Sequence, residues 1–505
     1  MATRVCALIL VGLYAWFCTA HGRAIGYFAP LDDFWGNAFQ ANTWAWRAGA
    51  LWNGFFPPGY PTVLTLLPGP RLVSSAFYLN LACGMTLLVL AWATTRRLAG
   101  PVAGLAAMAL VAAHPVVMTQ VLTTGADALF VALAVAGALA LFHATTGTRD
   151  RWGLALAAGV LLGASGWVRY HGFVFSAAAL AAALIVGGTS WRRVVAAAVP
   201  VAIAGAGILV LGTAAGDLAS MERAQAFNLY KGHVAAVNWF HLDAATLPTS
   251  VREAIARDPA AFWRSYLAFG TPHLWLLLPL VAAATCASGR ARRFAIFAVV
   301  LGAVFVPVVN LGASPRGIAA IVPLVLMAAV LALAGVAARV PARRWRAAAA
   351  AGFALAAGVY AWAVWLPANR DYVASTRARA QASSDIETRL REERVVFGAQ
   401  VFTDNDFYLV HADGWQVATY HPRSIGGWPK LDMAGYLESY PEPSTDTFDR
   451  FLDDCLKVGV THLVLTAAAG YVQADLGRLF DGGLTTARLT EVTGTPGVRI
   501  FRLVG

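Results

Sequence analysis

Long apolar runs recur through roughly the first 366 residues, separated by short turns that are alternately rich and poor in arginine. A membrane-crossing helix needs about 20 apolar residues, with some latitude for tilt. On that measure the pattern predicts about eleven spans, roughly 5–21, 72–94, 100–118, 125–145, 153–168, 172–189, 194–214, 271–288, 294–311, 317–338 and 347–366. Residues 367–505 have ordinary polarity instead. Their pattern predicts helices near 371–393, 446–459 and 471–480, and strands near 394–403, 414–420, 461–467 and 497–504. Strands alternating with helices point to a small α/β layer structure.

Composition agrees with the pattern. The 505 residues are 58% hydrophobic and 13% charged, where a soluble domain carries about 25% charged residues. The net charge of +11 would suit nucleic acid if it gathered on one folded surface. It does not. Thirteen arginines fall in five turns, "TTRRLAG" (94–100), "TGTRDRW" (146–152), "SWRRV" (190–194), "GRARRF" (289–294) and "RVPARRWR" (339–346). The short turns between them hold two, Arg169 and Arg316. The positive-inside rule puts the arginine-rich turns in the cytoplasm. The charge is then a topology signal, and nucleic acid is not an expected partner. The N-terminus is expected inside and the C-terminus outside, in a plasma (inner) membrane.

The first run, after "MATR", also has the look of a cleavable signal peptide; its length favours a retained span, and either way residue 23 emerges outside. The expected fold is an α-helical polytopic membrane protein with outer juxtamembrane helices and an extracytoplasmic α/β domain, divided at 1–366 and 367–505. No GxGxxG or GKS/GKT loop follows a strand, and no CxxC pair occurs among the five cysteines. A nucleotide site, a zinc ribbon and a disulfide framework are therefore not expected.

The polar anomalies collect on the outer side. "LDDFWGNAF" (31–39) places two acids, Asp32 and Asp33, just beyond the first span among Phe34, Trp35 and Phe39. Asp127 opens the fourth span; Arg169, Tyr170 and His171 form the turn between the fifth and sixth; Arg316 lies between the ninth and tenth. Ionisable groups near hydrocarbon are costly and mostly face a bundle interior or a cavity. Each also has a plainer reading. An acid at a helix start complements the dipole, and arginines snorkel to headgroups. "FWGNAFQANTWAWRAGALW" (34–52) reads as an interfacial amphipathic helix, and the prolines of "NGFFPPGYP" (53–61) as a turn.

The order of these features resembles the GT-C superfamily of integral-membrane glycosyltransferases. The nearest branch is family 39, the protein O-mannosyltransferase and lipid A aminoarabinose transferase type. The resemblance rests on the acidic pair followed by "PPGYP", on "HPVVMTQVLTTGADALFVAL" (114–133), on "SPRGIAAIVPLVLMAAVL" (314–331) and on "EAIARDPAAFWRSYL" (253–267), expected to be an outer amphipathic helix. Two departures stand out. Relatives often carry Asp-Glu where this chain has Asp32-Asp33. Many aminoarabinose-transferase-like members have an acidic and a basic residue before the double proline, where this chain has Phe55 and Phe56; that argues against aminoarabinose transfer specifically.

The resemblance implies transfer of a sugar from a polyprenyl-phosphate donor to an outer-face acceptor, which is a lipid, a protein or a cell-wall glycan. By the family order of the pair, Asp32 is the candidate base and Asp33 its support, with Asp127 a third candidate catalytic carboxylate. A general base must lie within hydrogen-bond reach of the attacking hydroxyl. Guanidinium groups match phosphate geometry, so Arg169 and Arg316 are the candidate phosphate ligands, with Lys231 in the long outer loop behind them. Trp35, Tyr170 and His171 are candidate pocket residues. A single displacement would invert the anomeric centre. No cofactor is required; some relatives bind a divalent ion, but no clear ligand set is visible here. The reading from a different class is a transporter or flippase of lipid-linked sugars. Such proteins often show repeats and broken spans at the midplane, whereas the charges here lie at span ends.

Overall fold

The computed structural model describes residues 2–29, 34, 37, 57–67, 71–147, 151–187, 191–215, 222, 225–226, 229–230, 232–234, 248–312, 316–339, 358–394, 401–403, 447–457, 460–466, 469, 474–495 and 497–504. Among them, seven helices are long and apolar enough to cross a membrane, or eight if one bent pair counts as a span. The chain is a multi-pass, mostly helical protein. The helices are α1 (Ala2–Ala24), α2 (Gly59–Thr65), α3 (Leu72–Ala99), α4 (Pro101–Ala113), α5 (Pro115–Leu122), α6 (Asp127–Thr146), α7 (Trp152–Val168), α8 (His171–Gly187) and α9 (Trp191–Ala215). They continue with α10 (Val251–Arg257), α11 (Pro259–Leu274), α12 (Leu277–Cys286), α13 (Gly289–Asn310), α14 (Val322–Arg339) and α15 (Leu366–Glu392). The expected eleventh span, 347–366, lies largely outside the described residues.

Helix α6 is the axis of the bundle. Buried residues occur all around it, as expected of a helix walled by others. Its two ends carry opposite charge. Asp127 is its first residue. At the far end, Arg151 Nη1 donates to His143 O (3.2 Å) and Arg193 Nη1 donates to Ala144 O (2.8 Å) and Gly147 O (3.1 Å). An acid at the start and arginines on the last carbonyls both complement the helix dipole. The bundle thus has an arginine-rich end and, opposite it, an end marked by Asp127.

Two expected elements are corrected. The third span, expected at 100–118, is the bent pair α4 and α5, which meet at 59°. Pro115 supplies no N–H and its ring clashes with the preceding turn, so the helix must stop. The carbonyl this frees is satisfied from a neighbouring helix, as Asn369 Nδ2 donates to Ala113 O (3.0 Å); at the far end of α5, Asn80 Nδ2 donates to Thr123 O (2.8 Å). Buried backbone in a membrane protein must be paired in this way. The bend sets the course of residues 123–126 into Asp127.

The second correction concerns 253–267, expected as one outer helix. It is split at Asp258-Pro259 into α10 and α11, with Asp258 Oδ1 accepting from Ala261 N (2.8 Å). Helix α11 then runs on with α12 as one span-length unit, Pro259–Cys286, so the span expected from 271 begins a dozen residues earlier.

Near the C-terminus, strands β1 (Val401–Thr403), β2 (His462–Thr466), β3 (Leu489–Thr495) and β4 (Val498–Leu503) form a sheet of order β1-β2-β4-β3. β1 and β2 are parallel; β2–β4 and β3–β4 are antiparallel. Alternate residues of β2 face opposite ways. Leu463 and Leu465 pack with α16 (Phe448–Lys457) and α17 (Ala474–Phe480), and Val464 packs with Ile386 and Leu390 of α15. Three of the four expected strands meet described residues, trimmed at their ends; 414–420 lies outside them. Strand β3 was not expected. Helix α15 joins the sheet to the bundle, since near its start Tyr372 contacts the Thr123 hydroxyl.

Candidate functional site

Three of the expected residues converge. Asp127 Oδ1 is in direct contact with Arg169 Nε, and Oδ2 lies 3.7 Å from Arg316 Nη1. The carboxylate is 4% exposed, whereas the side chain of Arg169 is 19% and that of Arg316 is 36% exposed. The acid is therefore the buried floor of the cluster, and the guanidinium groups form its more open side. A buried carboxylate without partners would be costly, and the two arginines compensate it. Guanidinium groups on the more open side suit an anion such as phosphate.

Local structure fixes each member. Arg169 sits where α7 and α8 meet: its N–H bonds Ser165 O (2.9 Å) and its carbonyl accepts from Gly172 N (2.7 Å). The turn is as tight as glycine allows, because a Cβ on Gly172 would lie 2.3 Å from the Ser165 carbonyl carbon. Tyr170 belongs to the same turn, and His171 opens α8, with its Nε2 close to Gly312 beyond α13. Arg316 precedes a 3-10 turn, Gly317–Ala320, that leads into α14. The four expected residues Asp32, Asp33, Trp35 and Lys231 lie outside the described residues, as does most of the expected helix 34–52. Ala29 and Phe34, on either side of the acidic pair, are buried in the same apolar cluster as Tyr60 and Ala126, the neighbour of Asp127.

Sequence reasoning missed two groups. The first is Tyr60, fully buried and close enough for the charge of Asp127 to act on its phenol. Burial foremost, then Asp127 and Cys83, push that phenol well above its ordinary range. The signal is the tyrosine of "PPGYP". The second is His233. Its Nε2 donates to Asn310 O (2.8 Å), and its Nδ1 pairs with the Ser265 hydroxyl (3.0 Å). His273 Nδ1 pairs with Asn310 Oδ1 (3.0 Å), and Tyr266 OH donates to Pro307 O (2.9 Å). Together these fasten the segment after Lys231, and α11, to the end of α13. Among the described residues, no group of three His, Cys, Asp or Glu side chains is placed to hold a metal ion.

Residues 64–214 match a family described as dolichyl-phosphate-mannose-protein mannosyltransferase. The match takes in Asp127 and Arg169 and stops short of Arg316. No curated protein matches the sequence. Among solved structures, the chain is similar to ArnT from Cupriavidus metallidurans in the apo state, with a TM-score of 0.54 and 15% identity over 99% of this chain and 98% of that one. It is also similar to the same protein bound to undecaprenyl phosphate, with a TM-score of 0.53 and 13% identity over 98% and 97%. At such identities the likeness is one of fold, over nearly the full length of both chains. The resemblance to GT-C membrane glycosyltransferases of the family 39 type is borne out.

Proposed function

We propose that this protein moves a sugar from a polyprenyl-phosphate donor to an acceptor on the outer face of the membrane, with inversion. The observation that carries the reading is the Asp127–Arg169–Arg316 cluster at the arginine-poor end of the bundle. The leaving polyprenyl phosphate gains charge as the glycosidic bond breaks. Preorganised donors aimed at that charge stabilise the transition state, and Arg169 and Arg316 are the donors. In this reading Asp127 holds the arginines in place. Asp32 is the base, with Asp33 beside it. Lys231 approaches the phosphate from the long outer loop, and Trp35, Tyr170 and His171 line the sugar pocket. The fold likeness to a protein solved with undecaprenyl phosphate supports a lipid-linked donor.

The experiment is turnover of a radiolabelled polyprenyl-phosphate sugar by purified protein in liposomes supplied with candidate acceptors. Expected is labelled acceptor together with free polyprenyl phosphate. Movement of intact donor between leaflets without bond cleavage would replace the reading with that of a flippase.

Sidedness has its own test. The arginine-rich turns mark the cytoplasmic side in this reading, and residues 367–505 form an extracytoplasmic domain. A reporter that works only outside the cytoplasm, fused after Gly505, should be active. Activity from a cytoplasm-only reporter at that point would invert the topology.

A further inference from the structure

Helix α2 lies directly on the last turn of α7. A Cβ on Gly59 would stand 2.7 Å from the backbone carbonyl of Trp167, two residues before Arg169. That close approach delivers the next residue, Tyr60, into the core, with its ring wholly buried. Its hydroxyl has no hydrogen-bond partner among the described residues. Buried hydroxyls are nearly always paired, so a spare buried donor calls for a reason.

The cluster supplies one. Asp127 is held by two guanidinium groups, and while both serve it a third donor adds little. When a phosphate arrives, the arginines have two anions to serve. Each N–H that turns to the phosphate leaves Asp127 less compensated, with new negative charge nearby. A neutral O–H donor relieves that carboxylate without drawing on positive charge. A phenol has one proton, and rotation about its C–O bond aims it.

We propose that Tyr60 is a positioning residue whose hydroxyl donates to Asp127 when Arg169 and Arg316 turn to a bound phosphate. The inference rests on the reading of those arginines as phosphate ligands. Tyr60 itself touches no substrate. Its role is to hold the Asp127 carboxylate in place while the arginines are shared.

The test is binding of polyprenyl phosphate, without sugar, to detergent-purified protein, alongside thermal unfolding. Tyr60→Phe keeps the ring and removes the hydroxyl. Affinity should fall about five- to tenfold, while the melting temperature of the empty protein holds or rises, because an unpaired buried donor is gone. In an Asp127→Asn background the same change should cost nothing further, since no carboxylate needs the proton. A ring that merely fills the core predicts wild-type affinity in Tyr60→Phe, and that result would overturn the inference. So would an equal loss with and without the Asp127 carboxylate. If Arg169→Ala weakens binding and Tyr60→Phe does not, this inference alone fails. If the wild-type protein does not bind polyprenyl phosphate, the functional reading fails with it.

Discussion

Asparagine in place of Asp32 should lower turnover by a factor of roughly 10² to 10⁴, the usual contribution of a general base, and leave donor binding intact. Asn keeps the shape of the side chain and cannot take the proton of the acceptor hydroxyl. The donor phosphate, held by Arg169 and Arg316 in this account, would not register the change. A carboxylate suits the role, since a general base must lie within hydrogen-bond reach of the attacking hydroxyl. Asp33→Asn should cost less. An inactive Asp33→Asn beside a near-normal Asp32→Asn would exchange the two roles. Near-normal turnover in both, and in the double variant, would reduce the pair to a solvated loop.

Alanine at Arg169 should weaken polyprenyl-phosphate binding by about 1.5–3 kcal/mol, the worth of a charge-assisted hydrogen bond. That corresponds to a loss of roughly 10- to 150-fold. Arg316→Ala should fall near the lower end. Its side chain is 36% exposed and stands 3.7 Å from Asp127, whereas Arg169 is 19% exposed and in direct contact, so solvent screens Arg316 more. Arg169→Ala should also lower the melting temperature, because it strips a buried carboxylate of its nearer cation. Arg169→Lys should keep the stability better than the affinity, since an ammonium carries the charge without the planar fork. Unchanged donor affinity in both alanine variants would remove the arginines from the site.

The sequence pattern made the membrane class and most spans legible because hydrophobic length is a local property. Helices α3, α6, α9 and α13 follow the expected runs closely. Span three was misread because "AAHPVV" is apolar enough to hide a break that one proline enforces and that Asn369, more than 250 residues away in the chain, makes tolerable. Strand β3, "LTEVTGT", escaped because it lies at the sheet edge with polar residues, and its place comes from pairing with β4. The convergence of Asp127, Arg169 and Arg316 was foreshadowed only as a shared side of the membrane. Their ion pairs depend on how α6, α7 and the turn before α14 pack, which no local pattern encodes. Tyr60 was invisible for a related reason. A tyrosine in a proline-rich turn looks like an interfacial anchor until the fold buries it.

A photoreactive polyprenyl phosphate, reacting close to its phosphate, tests directly where the lipid phosphate sits. Purified protein would be labelled, digested and mapped by mass spectrometry, with unlabelled polyprenyl phosphate as competitor. Expected is competable labelling within the α7–α8 turn around Arg169 and the segment around Arg316, lost in the Arg169→Ala/Arg316→Ala double variant. Competable labelling confined to the arginine-rich turns at 94–100 or 289–294, at the opposite end of the bundle, would contradict it.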